Sequence, residues 1–159
     1  MSRHPFSIAL ILVFVSVIIA IIPGFSSPPP EMTSQSLLSK IADNKGKVVI
    51  VNFWATWCST CQEEIEILKE LRDNYPEDNV RFLSISIDED PEKINDYIQS
   101  QGFNFQTFSA TEGILSDFNI KWVPKTYVFN HNGQIIYKDF GLVSQKRLEG
   151  IIDKILENL

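Results

Sequence analysis

The chain has two cysteines, Cys58 and Cys61, set three positions apart in the stretch VNFWATWCSTCQEEIEIL. Such a pair serves as a redox dithiol, as half of a metal site or as a structural bridge. A staple stabilises by closing a long loop in the unfolded chain, and a bridge across two residues closes almost none. A zinc site needs four ligands, and beyond these thiols the chain offers His4, near its start, and His131, in a turn sequence. Covalent haem attachment needs His directly after the second cysteine, where Gln62 stands. No metal and no cofactor is expected at this site. What remains is a bond made and broken in turnover, since cysteines one helical turn apart have Cβ atoms about 5–6 Å apart.

The elements around the pair assign the two sulfurs different roles. Residues 48–54 (VVIVNFW) are mostly apolar and rich in β-branched side chains, as in a strand buried on both faces. From Ser59, Ile65, Leu68, Leu71 and Tyr75 recur at helical spacing among glutamates, until Pro76 stops the helix. Cys58 then lies at the exposed tip where the helix starts, and free N–H groups with the positive end of the dipole favour a thiolate, by up to about 2 kcal/mol. Cys58 is the expected nucleophile on a partner's disulfide, and Cys61, one turn in, the resolving thiol. Glu64 shares a helix face with Cys61 at i, i+3 and could take its proton. The competing reading of Glu64 is a solvated carboxylate in an acidic helix. Trp57 is expected as a partly exposed wall for a docking partner, and Trp54 as core.

The remaining pattern alternates strands and helices and then turns into a hairpin. Helices are expected over 34–42, behind serine caps, over 91–101 between Asp90 and Gly102, over 111–118, and after Ser144 with a stripe of Leu148, Ile151, Ile152 and Ile155. The run DEDPE (88–92) reads as a helix cap, since it lacks the alternating ligands and central glycine of a calcium loop. Further strands are expected over 80–87, 107–109 and 126–130, with the HNG turn (131–133) leading into 134–139. This order predicts an α/β domain, a mixed central β-sheet with helices on both faces, over 33–159.

Before that domain, residues 8–22 (IALILVFVSVIIAII) follow Arg3 and precede a proline-rich linker over 26–32. Residues 1–25 read as an N-terminal signal anchor, or as a signal that is cleaved. With Arg3 on one flank and no Lys or Arg until Lys40, the domain is expected on the extracytoplasmic face of the cell membrane, the periplasmic side in a Gram-negative cell. Of 14 Lys and Arg only Arg3 precedes residue 31, whereas all 20 Asp and Glu follow residue 30. The domain is therefore more acidic than the chain's net −6, and nucleic acid is not an expected partner.

VNFWATWCSTC, followed some sixty residues later by WVPKTYVF (122–129), resembles the thioredoxin superfamily. With the N-terminal anchor it resembles the TlpA/ResA-type thiol-disulfide oxidoreductases. The resemblance spans 47 to about 156. It implies a thioredoxin-like fold, a cis peptide before Pro124, and Val123 and Pro124 beside the cysteines as a backbone edge for an extended substrate. It also implies a disulfide-containing extracytoplasmic protein as substrate, a membrane thiol donor as electron source, and a reducing direction.

Departures from the pattern bear on redox tuning. Asn52 replaces the buried Asp of thioredoxins proper, Thr60 the usual Pro before the second cysteine, and Glu66 a Pro that commonly kinks the helix. Trp122 and Lys125 depart from the G-x-P-E-T of members specialised for cytochrome c biogenesis, so that specialisation is not carried over. Two rival readings use the same thiols. A peroxiredoxin-like peroxidase would set Thr three residues before its reactive cysteine, where Ala55 stands before Cys58. A copper-binding metallochaperone module would add a well-placed histidine, and only His131 is at hand.

Overall fold

A computed structural model describes residues 27–158, and the expected anchor lies outside them. No helix among the described residues is long and apolar enough to cross a membrane. The elements are β1 (Glu31–Met32), α1 (Ser34–Asp43), β2 (Val48–Trp54), α2 (Ser59–Asn74), β3 (Val80–Ser86), α3 (Pro91–Gln101), β4 (Gln106–Ala110), α4 (Glu112–Asp117), β5 (Lys125–Phe129), β6 (Ile135–Phe140) and α5 (Gln145–Leu156).

They form one six-stranded sheet in the order β1-β4-β3-β2-β5-β6. β2 is central, parallel to β3 and antiparallel to β5, and all seven of its residues are buried. This is why its sequence runs apolar instead of alternating. On one face, Val49, Val51 and Phe53 meet Leu37 and Ile41 of α1 and Ile114 of α4. On the other, Val48 and Ile50 meet Leu68 and Leu71 of α2 and Leu148 and Ile152 of α5. Trp54, Cys61 and Ile65 form a further cluster with Ile94 of α3. The expected α/β architecture, a mixed sheet covered on both faces, is the one observed.

Differences are local and have physical causes. Glu31 and Met32, expected in the linker, pair in parallel with Ser109 and Ala110, and Met32 is fully buried. A two-residue strand has no periodicity to read. α1 is capped by Thr33, whose Oγ1 accepts the Ser36 N–H at 3.1 Å, and not by a serine. Ser144 occupies the N-cap position of α5 but makes no side-chain capping bond. Asp90 and Pro91 start α3 as expected, and Gly102 ends it at φ 60°, where a side chain would be strained.

Candidate active site

The strand-to-helix turn after β2 delivers the cysteines. Cys58 is the N-cap of α2, its Sγ accepting the Cys61 N–H at 3.1 Å, and the two sulfurs are joined in a disulfide. The Cys58 sulfur therefore faces a backbone donor that would stabilise negative charge once the bond is reduced. Cys58 is less open than the sequence suggests, at 8% exposure, against 0% for Cys61. The physical reason is the chain opposite: the Val123 carbonyl oxygen lies 3.7 Å from its Sγ. The peptide between Val123 and the buried Pro124 is cis. Access to the disulfide is thus through the Cys58 sulfur alone.

The residues next to the cysteines and to the cis-proline in sequence include large exposed apolar side chains. Trp57 and Trp122 are 67% and 72% exposed, while Trp54 is core. Phe140 and Leu142, which sequence reading left aside, are exposed on either side of Gly141, whose N–H donates to the Pro124 carbonyl at 2.8 Å. Their place beside the site is set by the antiparallel pairing of Lys125 with Phe140, a register no local pattern announces.

Glu64 is not solvated. It is 0% exposed, on the α2 stripe that also carries Cys61, Ile65, Leu68 and Leu71. Asn52 Nδ2 donates to its Oε2 at 2.9 Å and Thr126 Oγ1 to its Oε1 at 3.1 Å, and the Val143 backbone nearby also favours the charged form. Burial pushes its carboxyl up to about 7, against the pull of those donors. A group poised there exchanges protons at neutral pH, as acid–base work on a thiol requires. Its membership of an otherwise apolar stripe at helical spacing was the signal available in the sequence, masked by Glu63 and Glu66 beside it.

Asp88, two residues before the α3 cap Asp90 and without a motif of its own in the sequence, is a second carboxylate near the cysteine turn. Its Oδ2 accepts the Thr56 N–H at 2.8 Å and the Ser86 hydroxyl at 2.7 Å, and its Oδ1 accepts the Thr56 hydroxyl at 2.8 Å. It ties the WATWC turn to the end of β3. Asp88→Ala is expected to lower stability by about 2 kcal/mol, the loss of charge-assisted bonds at a half-buried carboxylate, as a lowered urea midpoint at unchanged slope.

Among the described residues, no group of three or more His, Cys, Asp or Glu side chains is arranged to hold a metal ion. The arrangement suits thiol-disulfide exchange: one reachable sulfur on a helix start, one buried sulfur a turn below, and a buried carboxyl one turn further.

The Redoxin family profile matches residues 21–154. The chain is similar to "Thiol-disulfide oxidoreductase ResA" of Bacillus thuringiensis (strain Al Hakam), 26% identical over 117 residues covering 73% of this chain and 68% of that protein. It is 31% identical over 126 residues to the ResA of Oceanobacillus iheyensis, covering 79% of this chain and 65% of that protein. Among solved structures, a thiol:disulfide interchange protein of the thioredoxin family from Chlorobium tepidum TLS superposes with a TM-score of 0.67 at 24% identity. That match covers 82% of this chain and 98% of the other, and it speaks for the fold. The chain belongs to the Redoxin family and is a thiol-disulfide oxidoreductase similar to the ResA proteins.

Proposed function

We propose that the protein reduces disulfides in extracytoplasmic proteins, drawing electrons from a membrane thiol donor. The observation that carries the catalytic scheme is the helical alignment of Cys58, Cys61 and the buried Glu64. In the reduced form the Cys58 thiolate attacks one sulfur of the substrate disulfide. A Cys58–substrate bond forms, and the other substrate sulfur leaves as a thiolate. Glu64 accepts the Cys61 proton, and the Cys61 thiolate attacks the Cys58 sulfur. This second displacement breaks the mixed disulfide, releases the remaining substrate thiolate and forms the Cys58–Cys61 bond. Two electrons have passed to the substrate, and the thiolates take up protons from Glu64 and solvent. A donor dithiol, by the reverse exchange, restores the reduced pair.

Three features support this reading. Trp57, Trp122 and the Val123 backbone, held beside Cys58 by the cis bond to Pro124, offer an apolar rim and a backbone edge to an extended substrate segment. Glu64 is buried one helical turn from the buried Cys61, where a carboxyl can take the Cys61 proton during resolution, and the reducing direction itself is carried by the likeness to the ResA proteins. Arg3 before the apolar segment, with no further cation until Lys40, favours an N-terminal anchor and an extracytoplasmic domain. A redox titration of the dithiol against a thiol–disulfide buffer tests the direction. A midpoint near about −270 mV or below is expected, and one near about −120 mV, with rapid oxidation of reduced peptides, would overturn the reductant reading.

A further inference from the structure

Under α2, the sheet face has a polar row where apolar packing would be the rule. Asn52 of β2 is in register with Ser84 of β3 on one side and Thr126 of β5 on the other, and all three are buried. Glu64 comes down from α2 onto this row. The hydrogens in the contact are fully committed. Asn52 Nδ2 uses its two on Glu64 Oε2, at 2.9 Å, and on Thr126 Oγ1, at 3.0 Å, which leaves the single Thr126 hydrogen for Glu64 Oε1.

We propose that Asn52 and Thr126 are positioning residues that clamp the Glu64 carboxyl in its proton-accepting form one turn from Cys61. This inference rests on the acid–base reading of Glu64. Every donor in the clamp matches an ionised carboxylate, which only accepts. A protonated Glu64 could use Thr126 Oγ1 only by displacing the hydroxyl hydrogen that Oε1 now receives. Burial therefore works against the charge, while Asn52, Thr126 and the Val143 backbone work for it, and the balance falls near neutrality.

The charged and titratable groups around the carboxyl leave the clamp in control. Tyr137 on β6 is pushed up by burial, by Asp139 and, in small part, by Glu64 itself. Arg147 of α5 sits over the Tyr137 ring, and Lys125 of β5 donates to the Asn119 carbonyl. Arg81 of β3 is paired with Glu77, and β2 carries no charged residue. On α2 itself, Cys61 is the thiol that Glu64 serves.

The test follows the pH dependence of disulfide reduction by the whole chain, with infrared titration of the buried carboxyl in the oxidised form as a readout that needs no turnover. Thr126→Val, which keeps the shape and removes the hydroxyl, and Asn52→Ala are each expected to move the Glu64 inflection up by about one to two pH units. The rate at pH 7 then falls by about fivefold for a shift of one unit and about fiftyfold for two, because more of Glu64 is already protonated. Thr126→Ser should restore the original inflection, which a merely structural role for position 126 would not require. If Glu64→Gln abolishes the inflection while Thr126→Val and Asn52→Ala leave it in place, the clamp is overturned and the role of Glu64 stands. An inflection that survives Glu64→Gln overturns both. Should Thr126→Val fail to fold, Asn52→Ala decides by the same criterion.

Discussion

Cys61→Ala stops turnover at its midpoint: reduction of a disulfide substrate yields a single covalent adduct per chain, and catalytic reduction falls to background. The first displacement needs only the Cys58 thiolate, and the backbone N–H of residue 61 that faces it is retained in alanine. The second displacement needs the missing sulfur, so the mixed disulfide persists until an external thiol resolves it. Mass spectrometry of non-reduced material should show the adduct on Cys58, and the attached protein identifies the physiological substrate. Cys58→Ala should give no adduct, because Cys61 is fully buried beneath the site. An adduct on Cys61 in that variant would reverse the assignment of attacker and resolver.

The second large effect is on stability. Glu64 has its carboxyl raised from 4.5 to about 7 in the folded protein by burial. Between those values the native state binds a proton that the unfolded state has released, so stability falls as pH rises. The contribution is complete below about 4.5, is lost as pH rises through about 7, and amounts to about 3 kcal/mol across that window. Most carboxylates of a folded protein act in the opposite sense, which makes the signature specific. Urea unfolding of the oxidised chain from pH 4 to 8 should show this decline, and Glu64→Gln should remove most of it. A Glu64→Gln profile parallel to that of the unmodified chain would show that the buried carboxyl does not titrate in this range.

Much of the site was legible in the sequence because its signals are local. The spacing of Cys58 and Cys61, the β-branched run before them and the amphipathic helix after them are short-range patterns, and each corresponds to an observed element. Val123 and Pro124 were reached through resemblance, since nothing in WVPKTYVF by itself says which cysteine it faces. Glu64 was legible as a position on the helix but not as a buried one, because burial depends on what covers that face. Asp88, Phe140 and Leu142 were not found at all. Asp88 acts 32 residues away from Thr56, and the other two reach the site through strand pairing.

Read alone, the chain was enough to place two cysteines at a helix start inside an α/β domain and to point to redox chemistry there, because thiol spacing and hydrophobic period are properties of neighbours along the backbone. The sheet order decided the rest. Only when β2, β3 and β5 lie side by side do Asn52, Ser84 and Thr126 form a polar row, and only beneath that helix does the row meet Glu64. A carboxyl's affinity for its proton is set by desolvation and by donors far away in sequence, and both exist only once the chain has closed around it.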